Sequence, residues 1–210
     1  MQNFLRKIFP PVYVWYRKEL IRQTEGADSI LDLGSGHNSH VQFLDKKMYR
    51  AGVDLFDPYI EKSKSLGIHT EYFKQDVRHI ENFKDKTFDI TYSCDVIEHL
   101  TTEEGLALIK EMERIAKKKV IISTPNGHRH QESYDGNHLQ EHHSAWSTEQ
   151  FEALGFIVLG MDGLRALRMD ESKIRFRPHK FWSFIANITQ FFVYRHPRNA
   201  HSLFCVKEMV

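Results

Sequence analysis

With 210 residues, 41% hydrophobic and 27% charged, the chain is long enough to bury one sizeable core and short for two, so one decorated domain is expected. A formal charge of +1 gives no overall basic field, which excludes nucleic acid or an anionic membrane as a partner recognised by bulk charge and leaves only local patches. Two cysteines, Cys94 and Cys205, are too few for a disulfide framework and lack metal-type spacing, as suits a reducing cytoplasm.

The N-terminus carries basic and aromatic residues (Phe4, Leu5, Arg6, Lys7, Ile8, Phe9) but meets Pro10-Pro11 before a long apolar run develops, so no signal peptide is expected. A helix follows over Val12 to Gln23, then a strand over Ser29 to Leu33 and a helix near Ser39 to Lys46. Arg50 to Asp54 reads as the second strand. Asp57-Pro58 reads as N-cap and first-turn proline of a helix that Gly67 stops, and Ile68 to about Lys74 as the third strand. Phe88 to Ser93 is a fourth strand, Thr101-x-x-Glu104 a capping-box start for a helix to about Ala116, and Lys119 to Ser123 a fifth strand.

The polar stretch from Thr124 to Ser144 has no periodicity, and a loop of about twenty residues in a compact domain is usually functional. Ser147-x-x-Gln150 caps a short helix ending at Gly155, Phe156 to Met161 is a sixth strand, Phe181 to Tyr194 a helix, and Ser202 to Lys207 a seventh strand. The alternation gives an α/β fold: a Rossmann-like, seven-stranded, mostly parallel sheet with helices on both faces and an antiparallel last strand. Its expected organisation is an N-terminal helical lid (1–25), a ligand-binding core (26–127) and a further region of loop, helices and final strands (128–210). The stretch from Phe181 to Tyr194 is interrupted by Asn187, Thr189 and Gln190 and is too short to span a bilayer.

Three features carry chemistry. The run Asp32-Leu33-Gly34-Ser35-Gly36 is a strand entering a tight glycine turn, where the backbone can approach a ligand closely. Asp54 ends the next strand, where a carboxylate can accept both hydroxyls of a ribose. The dinucleotide fingerprint wants a third glycine, yet that place holds Ser39, which weakens a pyrophosphate site. Asp95, Glu98 and His99 would share one face of a helix, as a capping box or, more sharply, a divalent-cation site. The long loop adds His128, His130, His138, His142 and His143 near the carboxyl edge of the sheet.

Asp32-Leu33-Gly34-Ser35-Gly36, Asp54, Gln75-Asp76-Val77, Phe88-Asp89-Ile90 through Asp95-Val96-Ile97-Glu98-His99-Leu100, and Ser123-Thr124-Pro125-Asn126 follow one another in order. In this the chain resembles the class I S-adenosylmethionine-dependent methyltransferases, of the type 11/23-like kind. The resemblance implies that Gly34, Ser35 and Gly36 pass under the methionine moiety, with Asp32 polarising its amino-group side. It implies that Asp54 holds the ribose with Leu55 beside it, that Asp76 and Val77 meet the adenine, and that Ser93 and Cys94 lie near the transferred methyl. His142 resembles the histidine such enzymes keep before the next helix, making it the first candidate base, followed by His138 and His99. Similar acidic-x-x-Glu-His segments in ubiquinone-biosynthesis O-methyltransferases suggest the cation reading.

The acidic-or-Asn-Pro-Pro-aromatic motif of base-amine methylases is replaced here by Ser93-Cys94-Asp95-Val96, so nucleic acid is not expected. A small-molecule acceptor, methylated at oxygen and leaving S-adenosylhomocysteine, is expected instead. The alternatives are a nicotinamide-dependent oxidoreductase and a module that binds the cofactor without turnover and acts through a partner. Phe181, Phe184, Ile185, Ile188, Phe191 and Phe192 recur at helical spacing between basic clusters. Such a stripe is expected to cover a sheet, with a shallow peripheral membrane contact as the alternative.

Overall fold

The computed structural model describes residues 12–131, 133, 136–169 and 172–209. The basic-aromatic stretch from Phe4 to Phe9 lies outside them. In chain order the elements are α1 (Val12–Gln23), β1 (Ser29–Leu33), β2 (Tyr49–Asp54), α2 (Asp57–Leu66), β3 (Glu71–Lys74), β4 (Phe88–Cys94), α3 (Thr102–Ile115), β5 (Ala116–Pro125), α4 (Thr148–Ala153), β6 (Ile157–Leu164), α5 (His179–Val193) and β7 (Ala200–Glu208).

The seven strands form one sheet in the order β3-β2-β1-β4-β5-β7-β6. Strands β1 to β5 pair in parallel, whereas β7 runs antiparallel between β5 and β6. Because β1 pairs β2 on one side and β4 on the other, the chain reverses its direction of travel across the sheet there. A crevice outside the carboxyl ends of β1 and β4 is where open α/β sheets bind ligands.

Both faces of the sheet are buried, which is why its central strands are apolar almost throughout. Leu31 and Leu33 face a core shared with Ile97, Met112, Trp146 and Phe151, and the intervening strand positions face another. That second core joins Ile30, Ile90, Tyr92, Ile121 and Phe204 to Tyr16 and Leu20 of α1.

Local chemistry sets several helix ends as expected. Thr101 and Glu104 bond reciprocally in a capping box at the start of α3, as do Ser147 and Gln150 at α4. Gly67 closes α2 in the left-handed conformation. Other expectations are corrected. The helix near Ser39 to Lys46 is a single 3-10 turn, His40–Phe43, capped by Ser39. Asp45 then accepts bonds from the Lys47 and Met48 backbones and turns the chain directly into β2. Asp57 is not the cap of α2; Phe56 holds that position, and Asp57 lies in the first turn, 2.5 Å from Lys74. Strand β3 is shorter than expected and β5 longer.

The expected orientation of the last helix is also reversed. Ala186, Gln190 and Val193, spaced for one helix face, are the buried residues of α5. They lie on glycines of β6: a β-carbon on Gly160 would run into the Val193 carbonyl, and one on Gly163 into that of Ala186. Gln190 donates to the Gly160 carbonyl (2.9 Å) and accepts from the Gly163 amide (3.0 Å), while Thr189 accepts from the Leu164 amide (3.0 Å). Close approach through small and polar groups thus leaves Phe181 and Phe192 about half exposed, Ile185 and Ile188 half-buried, and Phe191 packed edge-on against Trp15 of α1.

Candidate functional site

The turn after β1 is built by backbone bonding. The amides of Gly34 and Ser35 both donate to the Val53 carbonyl at 2.9 Å. Gly34 and Gly36 have φ values of 71° and 57°, in the region that favours glycine. A β-carbon on Gly34 would collide with Val96, whereas one on Gly36 would meet nothing within 4 Å. The first glycine therefore permits packing, and the second opens a cradle.

That cradle belongs to a cavity of about 370 Å³ at the carboxyl ends of β1, β2 and β4, lined by Gly34, Gly36, Asp54, Leu55, Asp76 and Val77 among others. Asp54 accepts from the Gly36 amide (2.7 Å) and the Phe56 amide (2.9 Å), so it shapes the turn as well as facing the cavity. Burial raises its carboxyl above the usual range, while these donors oppose the shift. A carboxylate has about four lone-pair sites, so acceptor capacity remains for a ligand. Asp76 forms a bidentate pair with Arg78, whose hydrogen bonds hold it below the usual carboxylate range.

A larger cavity of about 860 Å³ adjoins the first and is lined by Tyr13, Tyr16, Cys94, Glu98, His142 and His201 among others. Asp95, His99 and Gln140 line both, so the two cavities meet at these residues. Asp95 has φ 53°, and its amide donates to the Ser123 carbonyl at 2.9 Å. This left-handed turn aims the end of β4 at the junction. Desolvation there, with Asp162 nearby, lifts the Asp95 carboxyl to about 6.

The turn also overturns the expected helix face. Only Ile97–His99 form a short 3-10 turn, Val96 sits at its cap without a side-chain bond, and Asp95 lies outside it. Asp95 and Glu98 therefore form no capping box, nor do Asp95, Glu98 and His99 share a helix face. The donors that do gather are those of Glu98, His99 and His142, all within 4.8 Å of one another. Glu98 is buried, accepts from Thr124 Oγ1 (2.9 Å) through one oxygen, and is raised well above its usual range by burial and by Asp95.

The three candidate histidines are placed differently. His142 lines the larger cavity, its Nδ1 2.9 Å from the Arg129 carbonyl. That carbonyl can only accept, which puts a hydrogen on Nδ1. His99 packs against it at 4.8 Å between ring centroids and donates from Nδ1 to the Glu141 carbonyl (3.1 Å). Burial lowers His99 to about 4, so it is neutral at pH 7. His138 is exposed and lines only the smaller cavity.

Four other candidates lie off the cavity surface or are inert. Asp32 is buried 2.8 Å from His69 Nε2 and lines neither cavity. Ser35 and Ser93 are buried, with side-chain oxygens unpartnered among the described residues. Cys94 lines the larger cavity and accepts from Tyr16 Oη (3.2 Å), but burial raises its thiol well above the usual range and keeps it protonated. Sequence reasoning missed Tyr16, His40, Asp162 and His201 as cavity residues. The last two arrive through long-range pairing: β7 inserts beside β5, placing Ser202 opposite Pro125, and Asp162 accepts from Ser202 Oγ at 2.9 Å. His201 accepts from Arg129 at Nδ1 (3.0 Å) and donates from Nε2 to Ser172 (3.0 Å). Burial, then Arg129, Arg168 and Arg165, lower it to about 3.

Residues 31–123 match a family described as a methyltransferase domain. No curated protein matches the chain significantly. Among solved structures, a SAM-dependent methyltransferase from Archaeoglobus fulgidus is 17% identical, with 99% of each chain covered and a TM-score of 0.60. The plantazolicin methyltransferase BpumL, solved in complex with SAH, is 14% identical over 99% of this chain and 85% of that one, with a TM-score of 0.53. A putative methyltransferase in complex with the Haloferax volcanii Trm112 methyltransferase activator is 17% identical over 93% and 88%, with a TM-score of 0.58. At these identities the likeness establishes the fold.

Proposed function

We propose that this chain, whose residues 31–123 match a family described as a methyltransferase domain, is a class I S-adenosylmethionine-dependent methyltransferase that transfers a methyl group to the oxygen of a small-molecule acceptor. One observation carries the reading. A cradle bounded by Gly36 and the Asp54 carboxylate opens into a second, larger cavity, and the two meet at Asp95, His99 and Gln140.

The smaller cavity fits the cofactor. Its turn leaves open the space a β-carbon on Gly36 would fill, Asp54 keeps acceptor capacity for ribose hydroxyls, and Asp76 and Val77 line the same cavity, where this reading has them meet the adenine. The bound cofactor supplies an electrophilic sulfonium methyl, leaving the chain to position an acceptor in line and to receive a proton. In this reading residues 26–127 hold the cofactor, 128–210 bring the acceptor side, and Tyr13 and Tyr16 of the 1–25 lid close the larger cavity. Asp32 acts at one remove, by fixing β1 against His69, and Ser35 and Ser93 support the turn and the end of β4.

His142 takes the acceptor's proton, with His99 holding the acceptor beside it as a neutral hydrogen-bonding group. His138 then serves the cofactor side. The enzyme acts in the cytoplasm, uses no nucleic acid, and releases S-adenosylhomocysteine. A screen of small hydroxylated acceptors with labelled methyl donor tests the proposal. Label transferred to oxygen, and lost in His142→Gln with cofactor affinity retained, supports it. Transfer to nitrogen or carbon alone overturns the choice of atom.

A further inference from the structure

Part of the apolar stripe of α5 is left on the surface of the protein. Phe181, Ile185, Ile188 and Phe192 share one side of the helix by their spacing, and Phe181 and Phe192 are 53% and 51% exposed. The face that meets the sheet is instead the small and polar one, pinned by Gln190 and Thr189 to β6. Ile185 and Ile188 between them are half-buried, and two phenylalanine rings about half exposed on one side of a fifteen-residue helix are unusual for a surface in water.

Its charge setting is equally one-sided. In the sequence from Ser172 to His201 there is no aspartate or glutamate, and Arg175, Arg177 and Lys180 precede or open the helix while Arg195 and Arg198 follow it. Arg175, Arg177, Lys180 and Arg195 are exposed, while Arg198 is 2.7 Å from Glu149. No helix among the described residues is long and apolar enough to cross a membrane. An apolar face flanked by cations on a helix too short to span is the arrangement that lies in the headgroup layer of a bilayer. A second copy fits the face poorly. Two α5 helices packed antiparallel would set Lys180 beside the other copy's Arg195, and packed parallel they would set each basic end against its own kind.

We infer that the outer face of α5, from Phe181 to Phe192 with its flanking Arg175, Arg177, Lys180 and Arg195, docks on the surface of an anionic lipid bilayer. The inference is independent of the proposed methyl transfer. The apolar side chains enter the headgroup boundary and the arginines and lysine meet phosphate or carboxylate headgroups.

Flotation of the full chain with phosphatidylcholine vesicles, with and without phosphatidylglycerol, tests it. The expected result is flotation only with the anionic vesicles at low salt, released as salt rises, because screening shortens the reach of the charges to about 10 Å at 0.1 M. Arg175→Glu/Arg177→Glu/Lys180→Glu is expected to lose roughly fivefold in partitioning per charge removed or more. Phe181→Ser/Phe192→Ser is expected to abolish flotation while leaving thermal unfolding and cofactor binding unchanged, since neither ring is buried. Equal flotation on neutral vesicles, no flotation on anionic ones, or wild-type flotation by a folded serine variant would each overturn it. A concentration-dependent dimer that the serine variant breaks, without vesicle binding, would assign the face to a second copy instead.

Discussion

Substituting the two glycines of the β1 turn separates packing from ligand binding. In Gly36→Ala, the residue must keep a φ of 57°, which for a non-glycine residue costs about 1–2 kcal/mol. Nothing lies within 4 Å of the added carbon, so no packing penalty joins the strain. At roughly 2–4 °C per kcal/mol for a chain of this size, the melting temperature should fall by about 2–8 °C. The new methyl does occupy the cradle. If it intrudes on a bound ligand as an overpacked methyl does, at about 1–3 kcal/mol, affinity for S-adenosylhomocysteine drops by roughly 5- to 150-fold.

Gly34→Ala should show the opposite balance. Its strain is similar at φ 71°, but the added carbon collides with Val96, adding about 1–3 kcal/mol of overpacking and bringing the melting temperature down by roughly 4–20 °C. Calorimetric titration with S-adenosylhomocysteine and thermal unfolding, run on both variants, compare the two effects. Gly36→Ala binding as tightly as the wild type, or proving the less stable of the pair, would refute the division of roles.

Three further outcomes follow from the geometry. Asp54→Ala should weaken cofactor binding by tenfold or more, since a hydrogen bond to a charged group is worth about 1.5–3 kcal/mol; unchanged affinity in titration would leave Asp54 only its bonds to Gly36 and Phe56. His142→Gln should cut kcat by about a hundredfold or more with the cofactor KM little changed, measured by methyl transfer once an acceptor is found; a loss confined to KM would remove its role as base. His201 is held at about 3, well below its ordinary value, so it contributes stability that is present above about 6.5 and is lost as pH falls, by up to about 1.4 kcal/mol per pH unit. His201→Gln should flatten the dependence of melting temperature on pH between 6.5 and 4, and an unchanged slope would argue against it.

Much of the fold was legible because its signals are local. Apolar runs of strand length, the capping boxes at Thr101 and Ser147 and the stop at Gly67 depend on neighbours a few residues away. The glycine turn and Asp54 were legible for the same reason, with one strand separating them. Asp95 was not, since i, i+3 spacing with Glu98 describes a helix only if the backbone is helical. A bond from its amide to Ser123 across the sheet turns it left-handed instead. His201 and Asp162 reach the larger cavity through the antiparallel insertion of β7, and no short-range pattern encodes that. The periodicity of α5 marked an apolar stripe but could not say which way it faces. The glycines of β6 decide that, by admitting the small face of the helix more closely than an aromatic one could approach.

The central claim, that the cavity at the carboxyl ends of β1 and β2 is a S-adenosylmethionine site, is tested most directly by titrating the purified chain with S-adenosylmethionine and NAD in parallel. The expected result is saturable binding of S-adenosylmethionine, weakened in Asp54→Ala, with NAD bound far more weakly because Ser39 stands where a pyrophosphate site would want its third glycine. Comparable affinity for NAD, or binding of S-adenosylmethionine that is indifferent to both Asp54→Ala and Gly36→Ala, would contradict the account.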